Sequence, residues 1–263
     1  MSHAVGALSL PHDCFGSTFQ DPGDLVRSLL NLILILAFVP AAPDPISDID
    51  RLFSYGADPA SEKQALEIAE RALKTQPSDY ELLWRAARSY YYIADGVADR
   101  DKVQYYNRGI AVGGRAVDQK KDGVEGQFWL AANYGGYCRV SGGIPLKSVK
   151  KVREGMETVL RLNDRYEEGS AYVALGEIDR QLPKLFGGDD KRAVARLEQG
   201  LKLVPGNLEM KLALAEAYLD TNRKTDARRQ LEEMMKMPLS PARTNESRRA
   251  QEKARSLLSK LGR

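Results

Sequence analysis

The chain has 263 residues, 43% of them hydrophobic and 29% charged, and a net charge of +3. That is the composition of an ordinary globular protein with enough apolar residues for a sizeable core, and its near-balanced charge excludes a general nucleic-acid binder, which needs a basic stripe on a strongly basic domain. Two histidines, His3 and His12, and two cysteines, Cys14 and Cys138, are too few and too scattered to bring together the ligands of a transition-metal centre.

From Val26 the chain reads "VRSLLNLILILAFVPAAPDP", with one arginine ahead of an apolar run from Leu29 to Val39. A helix of that length rises about 16 Å, against a bilayer core of about 30 Å. The run is too short to span and matches the apolar core of a secretory signal, with Val39 and Ala41 as the small residues before a cut after Ala41. Residues 1–41 are therefore expected to be a signal segment, and residues 42–263 an exported helical repeat domain, periplasmic or secreted. Residues 1–25 carry acidic residues but no Lys or Arg, so the natural start is expected near Val26. The alternative is a retained, buried N-terminal helix and a cytoplasmic protein. Without residues 1–41, which hold Arg27, Asp13, Asp21 and Asp24, the charge rises to +5. No histidine then remains to activate Cys138, which reads as a small buried apolar residue.

From Ser61 onward the apolar spacing is helical, with no useful strand-like alternation. Three segments align as second helices of successive pairs: "QALEIAERALKTQPSD", "RAVARLEQGLKLVPGN" and "DARRQLEEMMKMPLS". Ala65, Ala69, Ala72 and Pro77 of the first match Ala193, Leu197, Gly200 and Pro205 of the second, and Ala193 to Ala227 spans 34 residues, the length of a tetratricopeptide repeat. "YNRGIAVGGRAVDQKKDG" and "METVLRLNDRYEEG" are degenerate copies. Among first helices, "LLWRAARSYYY" superimposes on "QFWLAANYGGY", placing Trp84 on Trp129 and Ala86-Ala87 on Ala131-Ala132. Paired alanines let a partner helix approach closely, and the tryptophan fills the volume beside them. "GSAYVALGEI" and "EMKLALAEAYL" supply two more. The expected fold is all-α, a tetratricopeptide-like solenoid of about four helix pairs with a C-terminal capping helix.

Punctuation agrees. Pro77, Pro205 and Pro238 end helices, because proline lacks an amide hydrogen. Asp189 or Asp190 in "FGGDDKRAV" is placed to cap the next helix, a reading preferred to a catalytic acidic pair. Gly135, Gly136, Gly142 and Gly143 flank "YCRVS" without the Gly-Lys-Ser/Thr or the preceding strand of a phosphate loop. The last segment, "ARTNESRRAQEKARSLLSKLGR", sets seven Lys/Arg against two Glu. It reads as a polar-backed terminal helix, or alternatively as a helix for an anionic surface.

These blocks resemble a known family. "RGIAVGGRAVD", "EGQFWLAANYGG", "IPLKSVKKVREGMETVLRLNDRYEEGSAYVALGEI", "LPKLFGGDDKRAVARLEQGLKLVPGN" and "LAEAYLDTNRKTDARRQLEEM" look like the T-component (TatT) family of TRAP transporters, from about Arg108 to Met237. The resemblance implies an extracytoplasmic helical protein that associates with a periplasmic ligand-binding subunit. It further implies trimerisation around a central pore and handling of a small hydrophobic solute. Members are often lipoproteins, whereas no cysteine follows the apolar run here.

In a repeat solenoid the first helix of each pair lines the concave face. The positions expected to face a groove are Trp84, Arg88 and Tyr91, then Trp129, Asn133 and the adjacent Tyr137, then Glu177 and Arg180. Such a groove is apolar, with a few polar groups to orient a ligand or a partner protein. Aromatic residues at repeat spacing are usually core, and on that reading Trp84 and Trp129 fill the joint between pairs. The expected function is non-enzymatic binding beside a TRAP-type uptake system, with no catalytic residue, metal or cofactor. The alternative is an intracellular tetratricopeptide scaffold for a protein or peptide.

Overall fold

The computed structural model describes residues 44–53, 59–239 and 244–262. The expected signal segment, 1–41, lies outside the described residues, as do His3, His12 and Cys14. All regular structure among the described residues is helical: α1 (Pro45–Phe53), α2 (Pro59–Leu73), α3 (Tyr80–Gly96), α4 (Asp99–Gln119), α5 (Val124–Val140), α6 (Leu146–Leu162), α7 (Ser170–Gln181), α8 (Asp190–Leu203), α9 (Leu208–Asp220), α10 (Lys224–Lys236) and α11 (Thr244–Leu261). Single turns of 3-10 helix precede α7 (Tyr166–Gly169) and α8 (Lys184–Phe186).

Local chemistry sets these boundaries. The carboxylates of Asp79 and Asp189 and the side-chain carbonyl of Asn207 accept the backbone N–H groups of Leu82 (2.9 Å), Arg192 (3.0 Å) and Met210 (2.9 Å) at the starts of α3, α8 and α9. Each satisfies a donor that the helix leaves unpaired. Asp189 is thus the cap of the "FGGDD" block. Pro77 and Pro205 lie in the turns after α2 and α8, and Pro238 follows α10.

Each helix packs on the next, and the odd-numbered helices also pack on one another: α1 on α3, α3 on α5, α7 on α9, α9 on α11. The even-numbered helices do not approach one another to a comparable extent. A double layer whose odd row is drawn together curves toward that row, so the odd helices form the inner face of an α-solenoid. The core runs through it as overlapping clusters. Ala65, Leu82, Ala86 and Ile93 fill the first; Leu83, Trp129, Val159 and Leu175 the second; Leu197, Met210, Leu214 and Ala227 the third; Leu231, Met234, Ala250 and Ala254 the last. Such nearest-neighbour burial is what a stack of hairpins offers.

One pair precedes the four read from the sequence, because α1 completes α2. At nine residues between prolines, α1 offers too few apolar positions, Ile46, Ile49 and Leu52, for its period to stand out. Its hold on α3 is polar as well as apolar. Arg85 donates to both oxygens of Asp50 (2.8 and 2.6 Å), and the Arg88 guanidinium lies 3.7 Å from the centre of the Phe53 ring. At the other end, α11 sets Ala250 and Ala254 against α9 and α10 and turns its charges outward, as a terminal cap should.

The α6–α7–α8 joint is tied by Asp179, which is wholly buried. It accepts from Arg153 (2.6 Å), from Arg192 (2.7 and 2.8 Å), and pairs with Arg196 at 3.0 Å. Burial alone would raise this carboxyl; the hydrogen bonds and charges of Arg192 and Arg153 outweigh it and hold it below the ordinary value.

Candidate binding cavity on the inner face

Among neighbouring odd helices, α5 and α7 make the least contact. Two features of the chain produce the gap. Helix α7 has 12 residues where α3 and α5 have 17, since Tyr166–Gly169 turns first. Within that turn Glu167, Glu168 and Gly169 all have positive φ (49°, 54° and 73°), a conformation costly for the two glutamates. It is held by Ser170 Oγ donating to the Glu167 carbonyl (2.6 Å) and Asn207 Nδ2 to that of Glu168 (2.9 Å). The second feature is Gly135, whose missing side chain leaves open space: a Cβ there would meet nothing nearer than Val152 at 4.0 Å.

The result is a cavity of about 600 Å³, within the range of small-molecule sites. Helix α3 contributes Tyr91 and Tyr92, α5 contributes Phe128, Trp129 and Cys138, and α6 contributes Val149, Val152 and Met156. Val173, Ala174 and Ile178 of α7 close the opposite wall. The aromatic wall is internally braced: ring centroids lie 5.8 Å apart for Tyr91 and Trp129, 5.6 Å for Tyr92 and Trp129, and 5.0 Å for Phe128 and Trp129. Trp129 Nε1 donates to the Tyr166 hydroxyl (3.2 Å), and burial raises that phenol above its ordinary value.

Charged side chains share the lining. Arg180 reaches Glu177 (2.8 Å), Glu216 (3.2 Å) and Asp220 (3.0 Å), and Lys253 of α11 reaches Glu216 (2.6 Å). Burial would lower Arg180, but hydrogen bonds to Glu177 and Asp220 and the charge of Glu216 keep it firmly protonated. Arg139 lines the cavity too, and among the described residues it pairs with no carboxylate. Its Nη2 donates to the Tyr106 hydroxyl at 3.4 Å, and its guanidinium lies 5.9 Å from the Tyr91 ring centre. Burial pushes the Cys138 thiol up, so it is a poor nucleophile.

Of the residues expected in the groove, Tyr91, Trp129, Glu177 and Arg180 come together around this cavity, and Trp129 is at once cavity wall and core, 2% exposed. Trp84 is buried between α3 and its neighbours, its Nε1 donating to Glu81 at 2.9 Å. Arg88 is buried against Phe53, Trp84 and Asp50. Asn133, wholly buried, donates through Nδ2 to the carbonyls of Ala87 (2.9 Å) and Trp129 (2.8 Å) and so clamps α3 to α5. Tyr137 is half-buried on α5, away from the lining. The groove expected from the sequence did not include Tyr92, Phe128, Arg139 and the α6 wall. Helix α6 is a second helix of its pair, and nothing in a repeat pattern announces that one joint stands open far enough to expose it. Among the described residues no group of three or more His, Cys, Asp or Glu could hold a metal ion.

The family profile described as "TRAP transporter T-component" matches residues 87–262. The chain belongs to that family. The matched span takes in the second half of α3, both cavity walls and α11, more than the blocks that carried the resemblance. T-components are a non-catalytic family. Membership points to an accessory role in a TRAP transporter, in a periplasmic or membrane-associated setting. Among solved structures, the chain is similar to TTC0263, a thermophilic TPR protein in Thermus thermophilus, at 21% identity and a TM-score of 0.55. The match covers 82% of this chain and 96% of that one. It is also similar to MamA, at 16% identity and a TM-score of 0.47, over 75% of this chain and 92% of that one. The likeness to the Thermus protein shows the fold alone. No curated protein matches the chain in sequence. No helix among the described residues is long and apolar enough to cross a membrane.

Proposed function

We propose that this T-component is an extracytoplasmic, non-catalytic accessory of a TRAP-type uptake system that holds a small, mainly apolar solute between α5 and α7. Exchange of that solute with a partner ligand-binding protein would take place along the inner face. The observation that carries the reading is the cavity itself, a chamber lined mostly by aromatic and aliphatic side chains with a few charged ones. Arg139, without a carboxylate partner among the described residues, suits a ligand with one anionic group, since a guanidinium binds a carboxylate through two parallel hydrogen bonds.

Filling the chamber tests this. Leucine at Gly135 projects into open space and replaces a residue that weakens a helix by about 0.5–1 kcal/mol relative to alanine. Gly135→Leu should leave the melting temperature unchanged or slightly raised while abolishing binding of anilinonaphthalene sulfonate, an aromatic anion, followed by fluorescence. Undiminished binding sinks the cavity reading. Native mass spectrometry of the wild type should find a co-purifying small molecule that the variant lacks. Protein recovered from the periplasm or medium should begin near Ala42; a full-length cytosolic form returns the chain to the scaffold reading.

A further inference from the structure

Five large apolar side chains are exposed among the described residues: Ile144 (47%), Leu146 (45%), Leu162 (40%), Leu185 (87%) and Phe186 (44%). Four of them gather on one edge, where the α5–α6 and α7–α8 connections emerge. The adjacency is physical: Arg153 on α6 donates through Nη2 to the Gly187 carbonyl (3.4 Å), joining α6 to the turn that carries Leu185 and Phe186. Leu146, Lys150 and Arg153 sit at i, i+4 and i+7, on one face of α6.

This turn is held rather than loose. Phe186 N–H donates to the Pro183 carbonyl (2.8 Å), Gly187 N–H to that of Lys184 (3.0 Å), and Asp189 N–H to that of Asp179 (2.7 Å). Gly187 takes φ of 90°, which a residue with a Cβ resists. A well-anchored turn therefore presents Leu185 and Phe186 to solvent, where apolar side chains are disfavoured unless something covers them.

The surrounding charge indicates what does. Lys147, Lys150, Lys151, Lys184 and Lys191 are all exposed around these four side chains. Against them stand Glu154, which Lys150 and Lys151 share at 3.7 and 3.5 Å, Asp190, and Asp189, the last spent as a helix cap. The two arginines of the edge, Arg153 and Arg192, are engaged on Asp179. Exposed lysines beside protruding Leu and Phe are the wrong set for a protein interface, where lysine is depleted and arginine enriched. They are the right set for an anionic bilayer, where apolar side chains enter the headgroup boundary and each nearby lysine adds attraction to lipid phosphates. In the sequence's own candidate for such a surface, α11, two of the cations are engaged within the molecule: Lys253 and Arg249 pair with Glu216 and Asp95.

We propose that the edge bearing Ile144, Leu146, Leu185 and Phe186 docks on an anionic lipid surface, Leu185 and Phe186 entering the boundary and the lysines resting on phosphates. Ile144 also lines the cavity, so docking brings one wall of the cavity close to the bilayer. The test is sedimentation of the full chain with vesicles of phosphatidylcholine alone or mixed with phosphatidylglycerol. Wild type should bind the mixed vesicles in a salt-sensitive manner, and the double variant Leu185→Ser, Phe186→Ser should bind about tenfold more weakly. Both chains share residues 29–39, so the apolar run contributes equally to each. As a second readout, tryptophan fluorescence of Phe186→Trp should be quenched by brominated lipid beyond the wild-type level. Equal sedimentation of the double variant, or no added quenching, overturns the proposal. Loss of a self-associated form by the double variant with vesicle binding intact also overturns it, assigning the edge to a second copy instead.

Discussion

Helices α3 and α5 carry the same pattern in the same place of the repeat and put it to opposite uses. Trp84 and Trp129 superimpose, yet Trp84 is sealed by Arg85, 4.1 Å from its ring centre, and by Arg88 under α1, whereas Trp129 faces a chamber. The residues that follow explain the contrast. Where α3 has Arg88, Tyr90 and Tyr91, α5 has Asn133, Gly135 and Gly136. Arg88 and Tyr90 fill the first joint; glycine leaves the second open at Gly135 and, at Gly136, admits the Tyr106 ring. A repeat thus fixes where a side chain points, while its neighbours decide whether it meets protein or empty space.

The largest effects should come from the tryptophans. Trp84→Ala and Trp129→Ala should each cost about 3–5 kcal/mol in urea unfolding. Only the second should weaken probe binding, measured where both variants remain folded by circular dichroism; equal loss in both would erase the distinction between the helices. Next, Gly136→Ala should cost about 1–3 kcal/mol by overpacking, because an added Cβ collides with Tyr106, itself 1% exposed. Set beside a tolerated Gly135→Leu, this separates a packed glycine from an open one on the same helix, and similar stabilities for the two variants would refute that separation.

The smallest effect is one of pH. Behind Trp84, the joint of α2 and α3 buries Glu62 completely, next to Ser89 and Arg88; burial raises its carboxyl against the pull of Ser89 and Arg88. A raised acid favours the folded state fully below its unfolded value, near 4.5, and loses that contribution as pH rises through the folded value. Glu62→Gln should therefore gain on wild type as pH rises from 4.5, read as the difference in urea midpoints. Behind Trp129 the residue at the position of Arg88 is Asn133, which does not titrate. A pH-independent difference for Glu62→Gln would show that both joints are electrically alike.

The helical class and the 34-residue spacing of Ala193 and Ala227 were legible because small residues must recur wherever hairpins stack. Helix α1 was not, since nine residues hold too little of the period. The cavity was half legible. Tyr91, Trp129, Glu177 and Arg180 follow from the register of the inner helices. Arg88 and Asn133 share that register yet turn into the joints, because each finds polar partners there: Asp50 for one, the Ala87 carbonyl for the other. Beside Gly135, what made the chamber was a short α7 and a left-handed turn at Glu167 and Glu168, neither of which sequence periodicity records.

The sparse contact between α5 and α7 has a mechanical side. In an arc built of hairpins, bending concentrates at the joint with the fewest struts, and here that joint is the one with room for a guest. A molecule lodged between Trp129 and Ile178 would act as a wedge that stiffens the arc, and its departure would let the two arms flex.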